Sequence, residues 1–291
     1  MTTHVPSSAS APFTPTFAPS YVDQARPESV GFRYVFCVGM RRGGSTLQSQ
    51  LVAAILGDQP VHLVSPESIH SFLAQQSDHA KPAIAKLHRY CPEIAELART
   101  GQAKIVYVYR DVRDVVASIV RKYDLPAFAF VHGGLQQLLA EYNDWISVPG
   151  IHVARYESMI SNLAGEAHRL ANYLGCPISP RQAKRLEQRF SVENQRRSIA
   201  NATNQCGSGG NTYDKITLLH PNHIQTGGTG NYANELPRNV IAALEWQSRS
   251  WLHDHQYSLS CSRSYQWIAH MRFQLRSRLH HMLRGRGTSS T

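Results

Sequence analysis

The stretch RYVFCVGMRRGGST, residues 33–46, decides the architecture of this chain. Its first six residues are apolar, aromatic or β-branched beyond Arg33 and predict a buried strand. Gly39-Met40-Arg41-Arg42-Gly43-Gly44 then forms a glycine-rich turn, and Leu47, Leu51, Ala54 and Ile55 recur at helical spacing up to a stop at Gly57. A strand feeding such a turn and then a helix is an anion site. Backbone N–H groups of the turn point outward, and the helix N-terminus adds partial positive charge.

The same grammar recurs outward from this unit. Lys104–Tyr109 (KIVYVY) predicts a second strand, and Asp111 can cap a helix carrying Val115, Val116, Ile119 and Val120. Ile151–Tyr156 predicts a third strand, Ala164–Leu174 an amphipathic helix, and Ser179-Pro180 the start of another. Pro237 opens a helix through about His253. Residues 58–100 and 124–150 carry no clear pattern. Strands alternating with helices imply an α/β fold, a mainly parallel sheet with helices on both faces, of the P-loop nucleotide-hydrolase-like kind. The expected layout is a Ser/Thr/Pro/Ala-rich disordered segment over 1–28, one domain over 29–260 and a basic tail over 261–291.

Composition limits the function. The net charge is +10, and six arginines (Arg263, Arg272, Arg276, Arg278, Arg284, Arg286) follow Asp254 with no acid after it. The rest is only mildly basic, which argues against a nucleic-acid-binding face. No apolar run is long enough to span a membrane, and residues 1–20 lack the apolar centre of a secretory signal. Five scattered cysteines without a CxxC pair read as reduced thiols of a cytoplasmic protein, and neither a disulfide frame nor a metal site is expected.

Gly39-x4-Gly44-Ser45-Thr46 has the spacing of a nucleotide-binding loop with Ser45 where the lysine that reaches β- and γ-phosphates would stand. Arg42 lies earlier in the loop. This argues against a triphosphate and suits a donor with one 5′-phosphate. Arg110, directly after the second strand, and Ser118, two helical turns on, can face a second phosphate. The plain alternative is a solvated ion-pair cluster of Arg110, Asp111, Arg113 and Asp114.

In these two motifs the chain resembles the sulfotransferase family, over about residues 32–258. The resemblance implies 3′-phosphoadenosine-5′-phosphosulfate as donor, without a metal. Arg42, Gly43, Gly44, Ser45 and Thr46 would hold its 5′-phosphosulfate, with Arg42 near the bridging oxygen. Arg110 and Ser118 would hold its 3′-phosphate. Gly43 for the usual Ser and Arg41 for the usual Pro are departures. Tyr156, in Arg155-Tyr156-Glu157, matches the position that contacts adenine, and Phe190-Ser191 resembles a segment lining the nucleotide. Gly227–Tyr232 resembles a late loop that closes over the donor, but Gln225 and Thr226 stand where basic residues are usual, with Asn222 and His223 as substitute donors. Lys86-Leu87-His88 resembles a Lys-Thr-His segment, which makes His88 the candidate base and Lys86 its assistant. Glu67 is a fallback base.

The acceptor is open: a small molecule, glycan or lipid offering a hydroxyl or an amine. The rival readings are a small-molecule kinase on the same scaffold and a nucleotide-binding module without activity. In the tail, Ile268, Met271, Leu275, Leu279 and Met282 form one helical stripe between arginines. Packing of that helix on the domain is the simpler expectation; peripheral contact with an anionic membrane is the other.

Overall fold

The computed structural model describes residues 31–76, 81–206, 218 and 228–285, excepting the side chains of 201–206 and 277–285. Five strands form one parallel sheet: β1 (Tyr34–Gly39), β2 (Val61–Leu63), β3 (Ala83–Lys86), β4 (Ala103–Tyr109) and β5 (His152–Arg155), in the order β2-β3-β1-β4-β5. The helices are α1 (Ser45–Ile55), α2 (Ile69–Gln75), α3 (Pro92–Arg99), α4 (Val112–Tyr123), α5 (Leu135–Ile146), α6 (Tyr156–Ser161), α7 (Leu163–Tyr173), α8 (Pro180–Arg189) and α9 (Val192–Cys206). They continue with α10 (Tyr232–Glu235), α11 (Arg238–Gln247), α12 (Arg249–Asp254) and α13 (Arg263–Gly285).

Strand alternation splits the core in two. Tyr34, Phe36 and Val38 of β1 face one cluster with Ile105, Tyr107, Val115, Val116 and α11 residues, whereas Val35 and Cys37 face the other with Leu51, Val106, Val108 and Leu170. The sheet therefore carries helices on both faces, as the strand–helix alternation predicts. The connection after β1 puts α1 on one face and the connection after β4 puts α4 on the other. They diverge at the carboxyl ends of adjacent strands, where such sheets leave a crevice for ligands.

The local signals act as expected at two helix starts. The Asp111 carboxylate accepts the Arg113 N–H at 2.9 Å, and Ser179 and Gln182 form a reciprocal capping box. Elsewhere the structure departs from the sequence reading. Residues 58–100 contain two strands and two helices. β3 was hidden because Ala-Ile-Ala-Lys gives a weak apolar signal, yet Ile84, Ala85 and Lys86 are all buried. Tyr156 opens α6 instead of ending β5. The helix after Pro237 breaks at Ser248, whose hydroxyl donates back to the Leu244 carbonyl at 2.7 Å and competes with the regular ladder. Segment 1–28 and the residues Asn222, His223, Gln225, Thr226 and Gly227 lie outside the described residues.

Candidate active site

Both glycine-turn and Arg–Asp motifs open on one cavity of about 610 Å³. Arg42, Gly44, Ser45 and Thr46 line it from the β1–α1 turn, Lys86 and His88 from the end of β3, Arg110 and Ser118 from β4–α4, and Tyr156 from α6. Phe190 and Ser191 line it at the end of α8, and Gly228 and Asn231 from the late loop. Of Arg42, Gly43, Gly44, Ser45, Thr46, Arg110, Ser118 and Tyr156, only Gly43 is not in the wall.

The turn is shaped by close contacts. The Gly43 N–H donates to the Met40 carbonyl at 2.8 Å, so it closes the turn instead of facing the cavity. A Cβ at Gly43 would stand 2.9 Å from that same oxygen, which accounts for glycine at a position where the resembled family has serine. Gly44 has φ of 101° and no room for a side chain, because a Cβ would lie 2.4 Å from the Tyr156 ring. Helix α1 starts at Ser45 with no side-chain cap. Its first N–H groups have no partner within the helix and begin at the cavity wall.

Three cations converge there. Arg42, itself at φ 63°, donates from Nε to Ser118 Oγ at 3.0 Å. Lys86 donates from Nζ to Thr46 Oγ1 at 2.7 Å. Burial, with the Arg42 and Lys122 charges, pushes the Lys86 ammonium down to about 8. Burial lowers Arg42 as well. Arg110 donates from Nη2 to Asp114 Oδ2 at 3.1 Å and to the Gly228 carbonyl at 2.8 Å, and its guanidinium lies 4.6 Å over the Tyr156 ring. Its Nε is buried with no hydrogen-bond partner among the described residues. An unused buried donor, two more cations and an uncapped helix start suit a ligand bearing more than one anionic group.

Asp114 ties the late loop to this wall. It accepts the Gly230 N–H at 2.8 Å and the Tyr232 N–H at 2.9 Å while holding Arg110. The loop end thus closes on Arg110 without the basic residues the resemblance called for. The Arg–Asp cluster is not solvated: Arg110, Asp111, Arg113 and Asp114 are all buried. Arg113 belongs to the frame, paired with Asp111 at 2.7 Å and Glu245 at 2.6 Å.

His88 sits two residues beyond β3, with its backbone carbonyl accepting from Trp145 Nε1 at 3.0 Å. Its Nδ1 is 2.9 Å from the Gly39 carbonyl. A carbonyl only accepts, so Nδ1 carries the proton and Nε2 keeps a free lone pair. Burial, then the Lys86 charge, pushes the ring down to about 4, so it is neutral at physiological pH. Glu67 is absent from the cavity wall. It is exposed, paired with Arg89, and held at about 2, chiefly by the Ser65 hydrogen bond, which makes it a poor proton acceptor.

Sequence reasoning missed Asp114, Lys122 and Tyr123, the last two at the end of α4 and in the wall. The i,i+4 spacing of Arg110 and Asp114 was a usable signal for the first. Nothing local marks the other two. Among the described residues no group of His, Cys, Asp or Glu could hold a metal ion, and no helix is long and apolar enough to cross a membrane.

Residues 131–256 match the family model described as a sulfotransferase domain. No curated protein matches the sequence. Among solved structures, the fold is similar to a mouse sulfotransferase complexed with PAP, with TM-score 0.57 and 14% identity over 83% of this chain and 96% of that one. Retinol dehydratase in complex with androsterone and inactive cofactor PAP gives TM-score 0.51 and 18% identity, covering 84% of this chain and 85% of its own. Retinol dehydratase in a complex with retinol and PAP gives 0.52 and 18%, covering 84% and 86%.

Proposed function

We propose that this chain, whose residues 131–256 match the model of a sulfotransferase domain, transfers a sulfuryl group from 3′-phosphoadenosine-5′-phosphosulfate to a hydroxyl or amine of a second substrate. The observation that carries this reading is the convergence of Arg42, Lys86 and Arg110 with the open start of α1 on one cavity. The solved proteins of the same fold named above hold PAP, the bisphosphate that such a transfer leaves behind.

In this account Ser45, Thr46, Arg42 and Lys86 surround the 5′-phosphosulfate. Arg110 and Ser118 take the 3′-phosphate, and Tyr156, Phe190 and Ser191 border the nucleoside. The free Nε2 lone pair of His88 removes the proton from the acceptor hydroxyl as its oxygen bonds to sulfur. The sulfur–oxygen bond to the 5′-phosphate breaks, and the electron pair stays on the phosphate oxygen. Arg42 and Lys86 stabilise that growing charge, an effect that is strong in a cavity shielded from water. Burial makes Lys86 costly to keep as a cation. The donor's anions relieve that cost, which couples donor binding to a fully charged Lys86.

The test is transfer of labelled sulfate from the donor to a panel of phenols, alcohols, sugars and amines. Labelled product is expected with at least one acceptor class. His88→Ala should cut turnover by roughly 100-fold or more while leaving bisphosphate affinity within about threefold. Donor binding without transfer to any acceptor would favour a nucleotide-binding module without activity. Unchanged turnover in His88→Ala would remove His88 as the base.

A further inference from the structure

The terminal helix α13 packs through one face and leaves another bare. Gln266, Ala269 and Phe273 are buried. Gln266 accepts from Arg249 at 2.8 Å and donates to Glu245 Oε2 at 2.9 Å, and Phe273 meets the His132 ring at 6.1 Å. At 3.6 residues per turn, Trp267, Ile268, Met271 and Leu275 fall on the opposite side. Their exposures are 51%, 39%, 39% and 55%. Ile268, Met271 and Leu275 of the stripe legible in the sequence therefore face outward, and the packing face is a different one. Arg263, Arg272 and Arg276 stand at the flanks of the exposed arc, and the chain has no acid after Asp254.

Apolar exposure is concentrated in this region. Of nine exposed large apolar side chains among the described residues, four lie together on α13. Such a patch marks a contact surface. A second copy of the chain is a poor occupant, because two arginine-flanked faces would repel. A nucleic acid would use the arginines but leave Trp267, Ile268, Met271 and Leu275 without a role. An anionic bilayer uses both: the headgroups pair with the arginines, and the interfacial zone takes the tryptophan and the aliphatic side chains. We propose that α13 lies in the surface of an anionic lipid membrane and holds the domain there. The inference rests on the geometry of α13 and stands apart from the proposed sulfuryl transfer.

The test uses the full-length chain in vesicle flotation, with phosphatidylcholine alone and with roughly 30% phosphatidylserine added, in low and high salt. Two variants are compared: Trp267→Gln/Met271→Gln/Leu275→Gln, which removes the apolar arc, and Arg272→Gln/Arg276→Gln, which removes flanking charge. The changed side chains of the apolar arc are exposed, so melting temperatures should stay near that of the parent; should the triple variant melt low, the double variant decides. The parent is expected to float with anionic vesicles about tenfold more than with neutral ones, to release in high salt, and to lose about tenfold of that binding in each variant. Equal flotation with both vesicle types, no flotation, or unchanged flotation of the folded variants would overturn the proposal. Self-association of the parent that the triple variant abolishes would overturn it in favour of a second copy.

Discussion

Arg110 and Arg113 stand three residues apart at one strand-to-helix junction, and they have opposite surroundings. Arg113 spends its donors inside the frame: Nε and Nη2 go to Asp111 at 3.0 and 2.7 Å, and Nη1 goes to Glu245 at 2.6 Å and to the Ser258 carbonyl at 2.9 Å. Arg110 lines the cavity, with Nε buried and unused among the described residues. Its partner Asp114 keeps two backbone N–H donors besides it. The difference teaches that a run of alternating charges at a helix start is two devices. One arginine clamps β4–α4 to α11 and the 258–261 segment, while the other is kept short of partners for a ligand.

Substitutions should separate the two. Arg113→Leu has the largest expected effect. Removing one partner of a buried ion pair strands Asp111 and Glu245, and urea unfolding should show a loss of about 3–5 kcal/mol. Bisphosphate affinity per folded molecule should hardly change; a large affinity loss at full stability would break the comparison. Arg110→Ala should do the reverse. Calorimetry should give 3′,5′-adenosine bisphosphate affinity lower by roughly 10- to 100-fold, from lost charge-assisted hydrogen bonds. The stability loss should be smaller than for Arg113, since Asp114 retains the Gly230 and Tyr232 N–H groups.

The third effect is a pH dependence on the cavity side alone. Lys86 in the free protein loses its proton near pH 8, and the donor binds the charged form. Affinity should therefore be level from about pH 7 to 7.5, above the titration of the ligand's own phosphates, and fall about tenfold by pH 9. Lys86→Met should abolish that slope, whereas Arg113 variants should retain it. The smallest effect is expected for Ser118→Ala, which removes the acceptor of Arg42 Nε and one hydroxyl of the wall. It should weaken bisphosphate binding by about three- to tenfold.

Much of this was legible in sequence, for identifiable reasons. β1 and the Ile105–Val108 stretch of β4 are buried on both faces, so their residues are continuously apolar and stand out. The glycine turn shows itself because close approach of Met40 and Tyr156 leaves no space for side chains. The region around β3 was obscure because its burial is achieved with alanines and a lysine. The buried Lys86, an unfavourable choice for a core strand, makes sense only once Thr46 from 40 residues earlier is beside it. The roles of Arg110 and Arg113 could not be told apart in sequence, since Glu245 and the late loop, more than 100 residues away, decide them. The packing face of α13 could not be selected in sequence, because Ala269 and Phe273 compete with Ile268, Met271 and Leu275 on one helix and only packing decides between them.

The central claim is that the cavity reads two separate phosphates, one at the turn of Arg42–Thr46 and one at Arg110 and Ser118. Isothermal titration calorimetry of the full chain with 3′,5′-adenosine bisphosphate, 5′-AMP and ATP tests it most directly. The account predicts that the bisphosphate binds at least about tenfold more tightly than either of the others, and that Arg110→Ala brings it down to the level of 5′-AMP. Tighter binding of ATP, or equal binding of the bisphosphate and 5′-AMP, would contradict it.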